Sequence, residues 1–445
     1  MCVCCQNVVG SARFHPDRMP EGTRLVHFAT AQIDACRAHT RESILNIAEF
    51  LPEKGTQVPP LPSSANFEEI QRKVGFNYEP QGLLWSRMRK VAALPDSIYW
   101  DWMHCICASG GIAQLHLNQF LRRVSRVYNM RSVEAFFRAI VFPKGEKGIT
   151  MHLKKRMSKS PKKGMRAFAA EVLSLVTAVL ALCEAKLVPE AKLKKEVKAF
   201  VCLARIIGIL RCGDAARAKV ELLTELIKEH HRRFMELYDL GKPKLHYMLH
   251  LPQCLARFLV NLNCFSAERK HKFTNRVGAF AHRHMVKTLT QRTARKWITS
   301  LQDPMSVAPF ALEGPKPKAL GRAELQCLYE HGVARPGVPE AAICKGTRLK
   351  TPRGHLSFRD VIAFRDLHGC ACRGIAQSFV RMPTAAGAVE FHAIVIRLQH
   401  IAGFCYKEPD DAQIIPIHQS NLRTACAWYR RDDGLHVVDL GHCDV

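Results

Sequence analysis

The sequence has no long hydrophobic run and few acidic residues for its length of 445 residues. Its longest strongly apolar stretch, Val172 to Cys183, is broken by Ser174 and Thr177 and is too short to span a bilayer. The first residues also lack the charged region and the apolar region of a signal peptide. We therefore expect a soluble, unsecreted protein with no membrane partner.

The overall composition, 47% hydrophobic and 24% charged, is that of a globular protein with two or three domains. This excludes wholesale disorder and the collagen, coiled-coil and low-complexity classes. Eighteen cysteines without a signal peptide indicate reduced thiols, some of them bound to metal, and not a disulfide framework. Because a cysteine cluster follows Met1 directly, we also expect the chain to begin inside a domain.

The deficit of acids, 39 against 66 Lys and Arg, gives a net charge of +27 and predicts a polyanionic partner. Two segments carry 17 of these charges: 144–166, whose glycines and Pro161 predict a flexible basic loop, and 269–296, which contains no acid. Both could be solvated surfaces, but the exclusion of acids favours contact with a phosphate backbone. The candidate phosphate-binding residues are Lys154, Lys155, Arg156, Lys162, Lys163, Arg269, Lys270, Lys272 and Arg276.

Hydrophobic periodicity predicts a helical block in the middle of the chain and strands in its tail. A strand-like run, Ser97 to Cys107, precedes a break at Gly110-Gly111 and a further helix. The tail from Glu340 to Val445 is nearly neutral, with thirteen basic and eleven acidic residues, and its pattern predicts a small β-barrel or sandwich. The expected long helices are Ala167 to Leu187, Leu193 to Arg211, Ala215 to Leu240 and Lys244 to Leu259.

Two pairs of residues have the spacing of metal ligands. His246 and His250 lie four residues apart on an expected helix, so both imidazoles occupy one face, and Cys2 and Cys5 form a C-x-x-C pair. Two thiolates and two imidazoles suit tetrahedral zinc. However, a C-x-x-C arises easily among eighteen cysteines, and His246 also fits an ordinary helix-face histidine.

Three further residues could take part in catalysis. Asp101 and His104 lie where a hydrophobic element ends, and Asp101 equally fits a helix N-cap beside a satisfied histidine. Glu268 is an isolated carboxylate in the most basic part of the chain. It either neutralises its neighbours or holds a divalent ion beside phosphate.

The segments Lys242 to Pro252 and Ser266 to Phe273, together with the preceding motifs, resemble the CACTA (En/Spm-like) group of cut-and-paste transposases. In that group a C-x-x-C, a D-x-M-H, an H-x-x-x-H and a glutamate follow in this order. The resemblance covers about residues 1 to 300. It implies an α+β fold with a partial ribonuclease-H-like core, interrupted by a helical insertion and followed here by a small β-rich carboxy-terminal domain.

The resemblance also implies a chemistry for the motifs. The C-x-x-C and the H-x-x-x-H would share a structural zinc ion, and Glu268 would be the last acid of a site that binds two Mg²⁺ or Mn²⁺ ions. Asp101 and His104 would be either the second catalytic acid with its histidine or a D-x-x-H element beside the active site. In relatives the leading aspartates precede the C-x-x-C, so we expect an incomplete active site in this chain.

The resulting hypothesis is a nuclear, transposon-derived DNA-binding protein that is inactive as a transposase. The hypothesis also allows for a homo-oligomer and for a protein partner of the tail. The alternative is a non-catalytic chromatin or nucleic-acid adaptor in which Asp101 and Glu268 are structural. The expected units are the partial core 1–120, the basic loop and helical insertion 121–240, the helical return 241–302, the proline-rich linker 303–339 and the β-rich module 340–445.

Overall fold

A computed structural model shows a mixed helix-and-sheet protein. No helix in the described part of the chain is both long and apolar enough to cross a membrane. The structure describes residues 4–9, 26–28, 33–56, 67–68, 70–71, 74–90, 95–96, 98–143, 153–265, 310–313, 318–334, 338–351, 354–366, 368–384, 388–402, 405–411 and 413–438.

Most of the described helices lie between residues 112 and 258 and form one body. A single wide turn at Cys183–Leu187 and a short 3₁₀ helix at Gly213–Lys219 extend or connect them. The helices are α1 Arg41–Thr56, α2 Ile112–Val124, α3 Met130–Ala139, α4 Leu153–Arg156, α5 Ala169–Leu182, α6 Lys194–Arg211, α7 Val220–Tyr238, α8 Pro243–Leu249, α9 Leu251–Phe258 and α10 Arg322–Glu330.

The apolar pattern of these helices explains how they pack. Every residue of α5 from Ser174 to Leu182 is buried, as expected for a helix that is hydrophobic on all sides. The amphipathic α7 buries only the face that includes Leu223, Ile227 and Phe234. Each fully buried aliphatic or aromatic side chain contributes roughly 1.5–3 kcal/mol to folding, so this shared core holds the body together.

The strand expected from Ser97 to Cys107 is wrong, because Met103–Cys107 forms a single wide helical turn. Asp101 stands at its start, as predicted, and accepts a hydrogen bond from the Met103 amide at 3.1 Å. After the turn the chain reverses at Gly110, whose φ of +71° favours glycine. A local cap has therefore overridden the β propensity of this apolar run.

The tail forms an antiparallel sheet in the order β11-β12-β15-β14-β8-β9-β10-β13, with β5 also pairing β9 and β4 pairing β5. A second, three-stranded sheet has the order β3-β6-β7. The strands are β3 Ala311–Glu313, β4 Lys318–Ala319, β5 Cys344–Gly346, β6 Arg348–Thr351, β7 Gly354–Ser357, β8 Val361–Arg365, β9 Ala371–Pro383, β10 Val389–Arg397, β11 Gln399–Ala402, β12 Cys405–Lys407, β13 Ile414–His418, β14 Leu422–Arg431 and β15 Gly434–Val438.

Both faces of the large sheet are covered. On β9, Phe379 faces the smaller sheet and packs with Leu349, whereas Val380 faces α10 and packs with Leu328. Strands β3 and β4 and helix α10 all lie within the expected linker 303–339. The described part of that segment therefore belongs to the fold of the tail and does not act as a linker.

The helical body and the large sheet touch directly. Val141, which follows α3, forms a two-way backbone bridge with Trp428 of β14, with N–O distances of 2.8 and 2.9 Å. Next to it the rings of Phe136 and Tyr429 lie 5.3 Å apart, and Tyr429 is only 2% exposed. The two parts thus share core at this contact.

Before residue 310 the described strands are two short ones, β1 Val8–Val9 and β2 Val26–His27. They pair in parallel, with Val8 opposite Val26. A ribonuclease-H-like core would need a larger mixed sheet, so within the described residues that part of the expectation stays a prediction.

Candidate functional site

Three ligand-type side chains, one from the amino-terminal segment and two from the helical body, meet in one buried cluster. The Nε2 atoms of His246 and His250 are 3.1 Å apart, and the Cys5 Sγ lies 3.4 Å from Nε2 of His250. His246 is in α8, and His250 stands between α8 and α9. The structure therefore brings together Cys5, His246 and His250, three of the four predicted zinc ligands, whereas Cys2 lies outside the described residues.

These separations fit a tetrahedral metal. Zn–N bonds of about 2.0–2.1 Å and Zn–S bonds of about 2.3 Å place two nitrogen ligands about 3.3 Å apart and a nitrogen and a sulfur about 3.6 Å apart. The measured distances differ from these values by a few tenths of an ångström. On the far side of the ring, Nδ1 of His250 lies 3.0 Å from Oε1 of Gln253, an arrangement that orients ligating histidines.

A second thiol, Cys36, lies beside the cluster and was not among the predicted ligands. The Cys5 thiol, and then the imidazole of His246, lower the pKa of Cys36 to about 5 against the opposing effect of burial. A thiolate is the form of cysteine that binds metal. Cys36 therefore adds a second candidate thiol beside the group formed by Cys5, His246 and His250.

Backbone pairing brings the two cysteines together. Cys5 forms an antiparallel bridge with Ala38, and the Cys4 carbonyl accepts a hydrogen bond from the His39 amide at 2.9 Å. The buried side chain of Asn7 fastens the same two segments, because it donates to the Ala35 carbonyl at 2.9 Å. No spacing rule in the sequence signals this contact between residues some thirty positions apart.

A hollow of about 180 Å³ lies against the cluster, with Cys5, Cys36 and His250 among its lining residues. An ion could reach the ligands from this side. Cys5, His246 and His250 therefore have donor chemistry and convergent geometry, and the hollow gives access to them, which are the features expected of a metal site.

Asp101 is used as a helix cap. Its Oδ1 accepts hydrogen bonds from the amides of Met103 and Cys264, both at 3.1 Å, and its Oδ2 accepts from the His104 amide at 3.2 Å. The same Oδ2 contacts Nδ1 of His104. This is the structural alternative for Asp101, although Asp101, His104 and Cys264 also form a group that could hold a cation.

The basic loop is docked on α2, at least from residue 153 onward, and the expectation that it is flexible is wrong for that part. The side-chain amide of Asn118 donates to the Lys163 carbonyl, and its oxygen accepts from the Ser158 amide, both at 2.9 Å. Arg122 donates to the Lys159 carbonyl, also at 2.9 Å. Gly164 is needed here, because an added Cβ would lie 2.9 Å from Cβ of Gln114.

In this docked arrangement most cations of the loop are exposed, whereas two nearby glutamates bond to the loop itself. Glu134 accepts from the Leu153 amide at 2.7 Å, and Glu171 holds Arg156 through two bonds of 2.6 and 3.3 Å. Arg156 therefore has a structural role within the protein, and its contact with phosphate stays a prediction. The exposed cations, which we call the basic surface, are Lys154, Lys155, Lys159, Lys162, Lys163 and Arg166.

Two hollows flank the basic surface and share Ser158 in their walls. The larger, about 520 Å³, also contains Lys242 and reaches Ser109 and Gly110. Behind it, Nζ of Lys244 donates to the carbonyls of His104 and Ser109 at 2.7 and 2.9 Å. The smaller, about 350 Å³, adds Arg122 and Arg126. Cationic hollows thus extend along the docked loop as far as Ser109 and Gly110, which follow the Met103–Cys107 turn.

No protein-family model, curated protein or solved structure matches the chain.

The remaining predicted residues lie outside the described part of the chain. They are Glu268, Arg269, Lys270, Lys272 and Arg276. Their roles stay predictions, and the functional argument depends on the metal-type cluster, the Asp101 cap and the basic surface.

Proposed function

We propose that the protein is a transposon-derived DNA-binding protein that holds a phosphate backbone on its basic surface. The observation that carries this proposal is the docked loop. Glu134 and Glu171 of the neighbouring helices bond to Leu153 and Arg156 of the loop, while six cations of the loop are exposed. Lysine and arginine on a fixed support neutralise phosphates and release counterions, which supplies affinity without base recognition.

The larger hollow supports a track for the backbone. Its wall combines Lys162, Lys163 and Arg166 of the loop with Lys242 at the start of α8. A nucleic acid in this hollow would pass Ser109 and approach the Met103–Cys107 turn that Asp101 caps.

Zinc is the proposed ion of the metal-type cluster, held by Cys5, Cys36, His246 and His250. The ion would connect the amino-terminal segments to α8 and α9, and so hold these segments against the helical body. Structural zinc sites of this ligand set are closed and tetrahedral, which agrees with the measured donor separations.

The geometry of Asp101 favours the non-catalytic version of this function. Both carboxylate oxygens accept backbone hydrogen bonds that hold the Met103–Cys107 turn and the chain at Cys264. The ribonuclease-H-like core, the Mg²⁺ or Mn²⁺ site, nuclear localisation and a protein partner of the tail remain predictions. Metal-dependent nicking of DNA that is lost in Glu268→Ala would refute the non-catalytic version.

DNA binding is tested with the variant Lys162→Ala/Lys163→Ala/Lys242→Ala. Each lost phosphate contact lowers the slope of log affinity against log salt by about 0.9, so the slope should fall by about 2 to 3. Affinity for a short duplex is measured by fluorescence anisotropy over a series of salt concentrations.

The matched control is Lys194→Ala/Lys195→Ala/Lys198→Ala, which removes three exposed lysines of α6 outside both hollows. It has the same change in net charge and should retain nearly the wild-type slope. Equal losses in the two variants would show a general charge effect and would overturn the proposed track.

A further inference from the structure

A second group of metal-type ligands lies in the tail, on neighbouring strands of the large sheet. In the antiparallel pair of β10 and β13, His392 is directly opposite His418. Glu390 precedes His392 by two residues and therefore projects from the same face of β10. The pairing thus places a carboxylate and two imidazoles side by side.

The side chains of this group converge. Nε2 of His392 lies 3.6 Å from Oε2 of Glu390, and the two histidine rings are 5.1 Å apart between centroids. One ligand atom from each of the three residues falls within 4.8 Å of the others. Glu390 and His418 are half-buried, so modest side-chain rotations can close these distances on an ion.

The buried histidine is the informative member. His392 is 4% exposed, and neither of its ring nitrogens has a hydrogen-bond partner. Its neighbours Val380, opposite on β9, and Ile394, on the same face, are apolar. A buried imidazole without partners is costly, and the carboxylate at 3.6 Å is too far for a hydrogen bond.

From this geometry we infer that Glu390, His392 and His418 bind a divalent transition-metal ion. Two imidazoles and a carboxylate match the preference of zinc and of similar first-row metals, and three protein ligands leave a coordination position open.

Ser420 orients the half-buried His418. The Ser420 amide donates to Nδ1 of His418 at 3.3 Å, and Oγ of Ser420 lies 2.8 Å from the same nitrogen, so both contacts fix the ring. The site shares no residue with the Cys5 cluster and does not depend on the proposed DNA binding.

The test measures zinc content and affinity in the full chain. The variants are Glu390→Gln and His418→Ala, and the control is His400→Ala, an exposed histidine of β11 outside the group. Removing a ligand should weaken zinc binding at this site by more than about 100-fold, because changes to the outer shell alone cost about 10–100-fold. Ser420→Ala should fall in that smaller range.

Substitution with Co²⁺ separates the two sites, since only a thiolate ligand gives a strong near-ultraviolet charge-transfer band. The Glu390→Gln and His418→Ala proteins should lose one bound metal ion and keep that band, while His400→Ala keeps both. Glu390→Gln preserves the size of a half-buried side chain, so it carries the test if His418→Ala folds poorly. Zinc content equal to that of the wild type in Glu390→Gln would overturn the inference.

Discussion

Two pairs of buried histidines in the helical body have the same nitrogen separation and different surroundings. In His246 and His250 the two Nε2 atoms are 3.1 Å apart, and in the other pair Nδ1 of His116 is 3.1 Å from Nε2 of His230. The first pair has the thiols of Cys5 and Cys36 and a hollow beside it.

The second pair is enclosed by aromatic rings. Phe200 and Phe234 lie 5.3 and 5.2 Å from the His116 ring, and Tyr238 lies at 5.7 Å. Within the described residues, His116 and His230 belong to no group of three metal-type ligands. A short contact between imidazoles is therefore a poor indicator of a metal site by itself, and the added donors and access make the difference.

The largest expected effect that separates the pairs is the response to zinc removal. With free zinc about 1,000-fold above the dissociation constant, the ion stabilises the fold by about 4 kcal/mol. A chelator should lower the free energy of unfolding by that amount in the wild type, measured by denaturant titration with and without zinc.

One variant near each histidine pair shows which pair causes the response to chelator. In the Glu390→Gln background, which removes the metal site of the tail, Cys5→Ser should abolish the response to chelator, whereas His116→Leu should retain it because its pair holds no metal. A wild-type response in Cys5→Ser would show that the Cys5 cluster does not bind the zinc.

The second largest expected effect is the loss of folding stability in acid that arises from the pair of His116 and His230. Burial lowers the pKa of His116 to about 3, below the value of about 6.5 for an unfolded histidine. The unfolded chain therefore binds the proton first, and stability that is complete above pH 6.5 is lost as the pH falls. Between pH 6.5 and 5 this loss is about 2 kcal/mol for one histidine.

His116→Leu should remove that share of the acid destabilisation, as measured by denaturant titration at both pH values in the presence of chelator. The exposed His400→Ala serves as control and should lose stability like the wild type. Identical acid responses of His116→Leu and the wild type would show that His116 is protonated in the fold.

The helices were largely predictable because each carries its own signal. The apolar α5, the amphipathic α7 and the break at Gly110 are visible in periodicity and turn residues. By contrast, the order of the tail strands, such as β14 between β8 and β15, could not be predicted, because strand pairing depends on distant partners more than on local pattern.

The metal-type cluster was predicted in part, for a similar reason. The i, i+4 spacing of His246 and His250 is a local signal, but Cys36 reaches the cluster through pairing of its segment with residues 4–9. The docked basic loop shows the same limit. Its glycines and proline suggested flexibility, whereas buried polar residues of α2, such as Asn118, fix it in place.

The smallest expected effect concerns the orientation of one ligand. Gln253 accepts a hydrogen bond from Nδ1 of His250 when that nitrogen carries the proton, and this leaves Nε2 free for zinc. Gln253→Ala should weaken zinc affinity by about 10-fold, less than the loss of a ligand, as measured by competition with a chromogenic chelator. Gln326→Ala, on the exposed face of α10, should have no effect. If Gln253→Ala bound zinc as tightly as the wild type does, Gln253 would not orient His250. The difference between the two histidine pairs would then depend only on the thiols and imidazoles that surround the first pair.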